Sequence, residues 1–341
     1  MSVVAEPAVP ISTVQPSPVQ SHVPKSAPLR RQVVIAIDAY CEIAPTVAQQ
    51  LGIVVIPRMA KIDNQQVVLN AEQTLHHSCW TQPPRRVVPA LHTLGDLAQS
   101  YERVLNDGLS ILAIHQPLRF DDAVHFALAA RSILLAGPQS TRENPPRVAV
   151  YELGAIGAGF EFLVQIAARG AAKGMTLQQL LTLIDRTQSM LKSYYVTTRS
   201  GPAPNTRSTE PLPKGGLLGT EQIWELDQSA GGLFTCLNRR RHALQALFST
   251  EGLFGDQEPH IVRTNNSRLL ERLNKARVLV EKEPFEVEPG GLAFAPIFPR
   301  GCIELTVLPN ESEINRIVEI IRRIDRTAPA PVRGLRQRGG L

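Results

Sequence analysis

Apolar positions along the chain follow two periods in turn. Compact β-branched runs alternate with stretches in which apolar residues recur every three or four positions. The run 33–37, VVIAI, reads as a buried parallel strand. Ile43, Val47 and Leu51 then share one helical stripe, and Gly52 is placed to end that helix. Residues 53–56 form the next strand, and Asp63-Asn64 between apolar runs predicts a hairpin turn. Further on, 94–105 is helical in pattern and closed by Asp107-Gly108, 109–115 is a buried strand, and 121–135 an Ala-rich helix. Residues 147–151 and 156–170 repeat the strand–helix pair. Strands alternating with helices of this length predict a parallel sheet with helices on its faces.

From Thr176, a capping residue, a helix is predicted to 191, followed by a strand over 193–198. Residues 199–216 are Pro-, Gly- and Ser-rich, a long loop for a compact domain. Residues 224–226 and 233–237 predict a hairpin with Ala230-Gly231-Gly232 in its turn. After it come a helix at 242–248, a strand at 260–264, a helix at 267–275, a strand within 294–308 and an amphipathic helix at 311–324. No internal repeat is visible. Residues 1–31, with six prolines and no periodicity, read as a disordered leader, and 326–341 as a disordered basic tail. The expected organisation is an N-terminal α/β domain over 32–170 and a second, mixed α/β domain over 171–325.

Composition changes this picture little, but it narrows the function. The net charge of +5 lies at the ends: Lys25, Arg30 and Arg31 stand against Glu6 in 1–32, and Arg326, Arg333, Arg336 and Arg338 stand alone in 326–341. The body between is near neutral, which argues against a specific nucleic-acid-binding fold. No apolar run is long enough to span a bilayer, and no secretory signal pattern opens the chain. Cys41, Cys79, Cys236 and Cys302 have no CxxC spacing, which fits reduced thiols in the cytoplasm.

Candidate chemistry is sparse. His76-His77 with Cys79 and His92 is the nearest approach to a metal cluster, but no carboxylate accompanies it, and a solvated loop is the simpler reading. Arg239-Arg240-Arg241 could grip an anion, or open a solvated helix. The GAIGAG stretch, 154–159, matches no phosphate-loop pattern, and its glycines suit close packing. Asp121-Asp122 sits at a helix start, where carboxylates act as caps by default. No nucleophile–base pair can be picked out by spacing, so nothing calls for an enzyme or a cofactor. An enzyme using Asp38 and Glu152 is the remotest of the readings.

The stretch 33–57, VVIAIDAYCEIAPTVAQQLGIVVIP, resembles the start of the DegV family, bacterial fatty-acid-binding proteins whose opening reads V-T-D-S-T-A-D-L-P, a helix, then L-G-I-x-V-V-P. Asp38, Ile43, Leu51, Gly52, Ile53, Val55 and Pro57 fall into register. Gly95-Asp96-Leu97 with Tyr101-Glu102-Arg103 resembles G-D-F-L-E-L-Y-E-K, and Ile114-His115 begins the segment read as I-H-I-S-S-x-L-S-G-T-Y. Residues 148–159 are similar to V-x-V-I-D-S-x-S-V-S-x-G, with Glu152 for the Asp. Lys214-Gly215-Gly216 resembles K-G-G-R-I, and 294–308 the closing I-G-T-H-T-G-P-G-A-L-G-V-A-F-L, with Gly301 kept. The resemblance implies two α/β domains holding a fatty acid in the cleft between them, without catalysis, and a fatty-acid kinase as candidate partner.

The resemblance also implies which anchors are missing. Family hydroxyls that hold the carboxylate fall on Ala39, Pro89, Ala90 and the Pro117-Leu118 pair, and the family His falls on Ile297. Pro117 lacks the backbone N–H as well. The expected ligand site is therefore Asp38, Ala39, Pro89, Ala90, His92, Pro117, Leu118, Arg119 and Ile297, with Thr93 and His115 nearby. Arg119 or His92 is the expected partner of any acidic head group. The rival expectation is an empty scaffold of this type that uses its tails and the 199–216 loop to bind another protein.

Overall fold

The computed structural model describes residues 31–74, 86–90, 93–137, 147–198, 221–229, 231–237, 258–278, 282–289 and 302–327. The expected helix at 242–248, His76, His77, Cys79, His92, the 199–216 loop, Arg239–Arg241 and Ile297 lie outside them.

Strand β1 (Val33–Asp38) is buried along its whole length, which is why its sequence is continuously apolar rather than alternating. It is one of the two inner strands of a four-stranded parallel sheet ordered β2 (Val54–Ile56), β1, β6 (Ser110–His115) and β7 (Val148–Glu152). Helix α1 (Pro45–Leu51) makes the first crossover and ends at Gly52, whose φ of 60° requires a residue without a Cβ penalty. Arg31 finishes that end by donating to the Leu51 and Gly52 carbonyls at 2.7 and 3.1 Å.

After Pro57 the chain turns into a small antiparallel sheet, ordered β4 (Gln65–Leu69), β3 (Arg58–Ile62) and β5 (Val87–Pro89). Its predicted two-residue turn is present: Asp63 and Asn64 both have positive φ, 46° and 71°, as a tight hairpin requires.

Helices α2 (Leu94–Asn106) and α3 (Ala123–Ala136) cover one face of the parallel sheet, where Leu97, Tyr101 and Ala127 pack on Val34, Ala36 and Ile111. The other face carries α4 (Gly157–Ala172) and α5 (Leu177–Gln188), the latter opened by the expected cap, a reciprocal pair between Thr176 and Gln179. Ile317 and Ile321 of the last helix, α7 (Glu311–Thr327), join this same core.

A six-stranded, mostly antiparallel sheet follows, ordered β10 (Leu233–Cys236), β9 (Glu221–Asp227), β8 (Lys192–Thr198), β13 (Cys302–Val307), β11 (Ile261–Thr264) and β12 (Glu288–Pro289). Helix α6 (Ser267–Val278) packs on it through Leu269 and Leu273. The whole is a mixed α/β architecture in which a parallel sheet stands beside an antiparallel one.

The two sheets meet through their own small core. Ile156 at the start of α4 and Phe120 after β6 pack with Tyr195, Trp224, Leu226 and Phe234. Phe234 sits edge-on to Tyr195 at 5.3 Å and tilted to Phe120 at 5.7 Å, geometries that aromatic pairs favour.

Candidate functional site

Ligand sites of open α/β sheets form beyond the carboxyl ends of the strands. Here the register places Asp38 beside Ile56, and His115 beside Glu152, along that edge. Asp38 is 1% exposed and His115 fully buried, so the edge is not an open bowl of acids. It is closed by Arg58.

Arg58 enters because β3 begins directly after Pro57 and points its first side chain inward, 3% exposed. Its Nη1 lies 3.4 Å from Asp38 Oδ1, and both Nη atoms reach the Asp121 carboxylate, Nη2 donating to Oδ1 at 2.5 Å. Nε donates to the Ala90 carbonyl at 2.9 Å, and the guanidinium carbon lies 5.2 Å from the Tyr40 ring centroid. Burial works against the Arg58 charge, but Asp38 and Asp121 outweigh it and hold its pKa above the ordinary arginine value. Asp38 Oδ1 also accepts from the Tyr40 N–H at 2.9 Å, and Oδ2 faces His115 Nδ1 at 3.3 Å. Burial and the nearby Asp121 push the Tyr40 hydroxyl well above its usual pKa, and burial does the same to the Cys41 thiol. Neither is a nucleophile at neutral pH.

The expected site residues fall into two groups. Asp38 and Ala90 bind Arg58, and Ala39 follows Asp38 along the chain: Ala39 donates its N–H to Ile56 at 2.9 Å, and Ala90 donates to Met59 at 3.0 Å. Pro89 ends β5 opposite Ala60. Thr93 uses its hydroxyl as the N-cap of α2, accepting from Asp96 at 3.2 Å. Pro117, Leu118 and Arg119 form a turn after β6, with the Pro117 carbonyl accepting from Phe120 at 2.8 Å. Leu118 donates its N–H to Glu152 Oε1 at 2.8 Å, so that Glu152 ties the loops after β6 and β7 together. Arg119 reaches across to the other sheet, its Nε donating to Gly231 at 3.2 Å. Asp121 departs from the default cap reading: it is buried and bound to Arg58, while Asp122 takes the N-cap position of α3 without a side-chain hydrogen bond.

Sequence reasoning missed a second buried polar cluster. Glu304, on β13 and fully buried, lies at the N-terminus of α4, where its two oxygens are 3.0 and 3.2 Å from the Ala158 nitrogen. Tyr195 and Thr306 donate hydroxyls to it at 3.1 and 3.3 Å. Burial pushes its pKa up to about 8, and Glu42 adds to that, against the opposing pull of Arg263. Arg263 is itself bound to Glu161 of α4 at 2.5 Å. A lone Glu in an apolar strand, CIELTV, was the available signal. Arg58 had a similar one, a cation opening a strand whose alternate positions are buried.

Among the described residues no group of three His, Cys, Asp or Glu is placed to hold a metal ion, and no helix is long and apolar enough to cross a membrane.

The family described as "Uncharacterised protein, DegV family" matches residues 32–199. No curated protein matches the sequence. Among solved structures, a DegV family protein from Thermus thermophilus, described by its fatty acid binding, aligns with TM-score 0.55 at 17% identity over 82% of this chain and 100% of its own. A stearic acid-binding protein from Eubacterium ventriosum aligns with TM-score 0.56 at 12% identity, over 80% and 97%. The fatty acid kinase (Fak) B3 protein of Streptococcus pneumoniae, loaded with linoleic acid, aligns with TM-score 0.53 at 16% identity, over 82% and 100%. At these identities the likeness establishes the fold.

Proposed function

Residues 32–199 of this chain belong to the DegV family, and on that premise we propose that the protein is a non-enzymatic carrier of a fatty acid or other acyl ligand. The observation that carries the reading is the match of fold over about four-fifths of the chain to proteins described by their fatty-acid binding, one of them loaded with linoleic acid. The ligand would lie in the cleft between a unit built on the parallel sheet and one built on the antiparallel sheet. Its carboxylate would not be held by the hydroxyl clamp, because Ala39, Pro89, Ala90, Pro117 and Leu118 stand where the resemblance puts those donors. A kinase that phosphorylates the bound acid is the candidate partner, and the cytoplasm the fitting compartment.

The test is uptake. The delipidated full-length protein, offered a series of fatty acids from ten to eighteen carbons, should take up at least one in a saturable manner. Failure to bind any of them would remove the reading.

One observation favours the rival, a scaffold that binds another protein without a ligand. Arg58, which lies beside Asp38 of the expected ligand site, is engaged by two carboxylates of the chain itself. An anion entering there would have to displace Asp38 or Asp121, and would meet the repulsion of both.

A further inference from the structure

The seam between the sheets holds polar atoms that the fold leaves unused. The turn joining β9 to β10 lies against the loops that follow β6 and β7. A Cβ on Gly154 would stand 1.9 Å from the Gln228 carbonyl oxygen, and one on Gly232 would stand 2.8 Å from Pro117 Cγ and 3.1 Å from the Phe120 ring. Glycine is required at both positions for this approach. Arg119 spans the same seam, held at Nε by the Gly231 carbonyl.

With Nε fixed there, Arg119 Nη1 is buried and has no hydrogen-bond partner among the described residues. Gln228, at the start of the turn, is 6% exposed, and both ends of its amide are likewise buried and unpartnered. A guanidinium nitrogen and an amide left so are costly, and native folds seldom leave them without water or a ligand. The nearby acids are already committed. Glu152 accepts from the Leu118 N–H, and Asp227 accepts from the Ser229 N–H and hydroxyl at 3.0 and 2.6 Å. The aromatic wall of Phe120 and Phe234 stands beside the turn.

We propose that Arg119 and Gln228 form a carboxylate subsite on this seam, one oxygen of the ligand taking Arg119 Nη1 and the other the Gln228 amide N–H. The amide oxygen is left for a water. This assignment rests on the acyl-carrier reading and gives that carrier a head-group clamp of its own, contributed by both sheets. Arg58, saturated by Asp38 and Asp121, plays no part in it.

The experiment compares hexadecanoate with methyl hexadecanoate by equilibrium dialysis against the delipidated full-length protein. The parent should prefer the acid by roughly tenfold or more, the scale of charge-assisted hydrogen bonds. Arg119→Met should lose that preference and bind the two about equally. Gln228→Glu, which sets a carboxylate against the ligand, should favour the ester. Should Arg119→Met fold poorly, as read by its thermal midpoint, Gln228→Glu decides alone. A variant pair that keeps the acid preference overturns the subsite. So does a parent that binds acid and ester alike, and there acyl binding itself would stand. A parent that takes up neither overturns both readings.

Discussion

Desolvating a guanidinium costs several kcal/mol, and Arg58 recovers that cost only because Asp38 and Asp121 both reach it within the core. Removing the cation strands two carboxylates in a low-dielectric interior. Arg58→Met should therefore lower stability by about 3–5 kcal/mol in urea unfolding, whereas a loss under about 1 kcal/mol would mean the cluster is solvated. Glu304 gives the opposite kind of test. Its folded pKa of about 8 lies above the ordinary glutamate value of 4.5, so the native state binds a proton that the unfolded chain releases. Stability from this group is complete below the unfolded pKa and falls as pH rises through the window from about 4.5 to 8. Glu304→Gln, which still accepts from Ala158, should flatten that fall and be the more stable protein at pH 8, by an amount on the order of a few kcal/mol. An unchanged slope would contradict the assignment. Apart from the apolar strand around Glu304 and the alternation of β3, little in the sequence marks these charges as buried. Asp121 reads as a cap, and Arg58 carries no reading of its own, because burial of a charge depends on a partner distant in the chain.

Elements were more legible than the residues inside them, and the reason is local. The Asp63-Asn64 turn, the Gly52 stop of α1 and the Thr176 cap of α5 are written in two to four adjacent residues, and all three are present. Strand ends were less so: β9 runs Glu221–Asp227, well past the apolar core of Trp224–Leu226 that marks it, because pairing with β8 extends it. The glycines after β7 were readable as packing positions, but not their neighbour, the turn of a strand pair more than seventy residues away. That neighbour makes two alanine substitutions diverge. Gly154→Ala meets backbone at once, and should cost more than about 2 kcal/mol in urea unfolding. Gly95→Ala, within α2 and with nothing within 4 Å, should instead gain about 0.5–1 kcal/mol. Equal effects at the two positions would mean that the seam is loose enough to admit a methyl group.

At the scale of the whole molecule, the alternation of strand and helix predicted the parallel sheet, and a mixed α/β fold of DegV type is present. Tyr195, Trp224 and Phe234 meet Phe120 and Ile156 in the small core that joins the sheets, a meeting no local pattern encodes. The site divides along the same line. Asp38, His115 and Glu152 could be placed at strand ends from their spacing, whereas the reach of Arg119 to Gly231 depends on how the second sheet is set against the first. The proposed acyl carrier has a direct measurement. Native mass spectrometry of the protein as purified, followed by lipid extraction, should show a mass excess matching one acyl chain per protein, and the extract should yield that acid or ester. A protein of bare mass that also takes up none of the offered fatty acids would contradict the account and leave the ligand-free scaffold in its place.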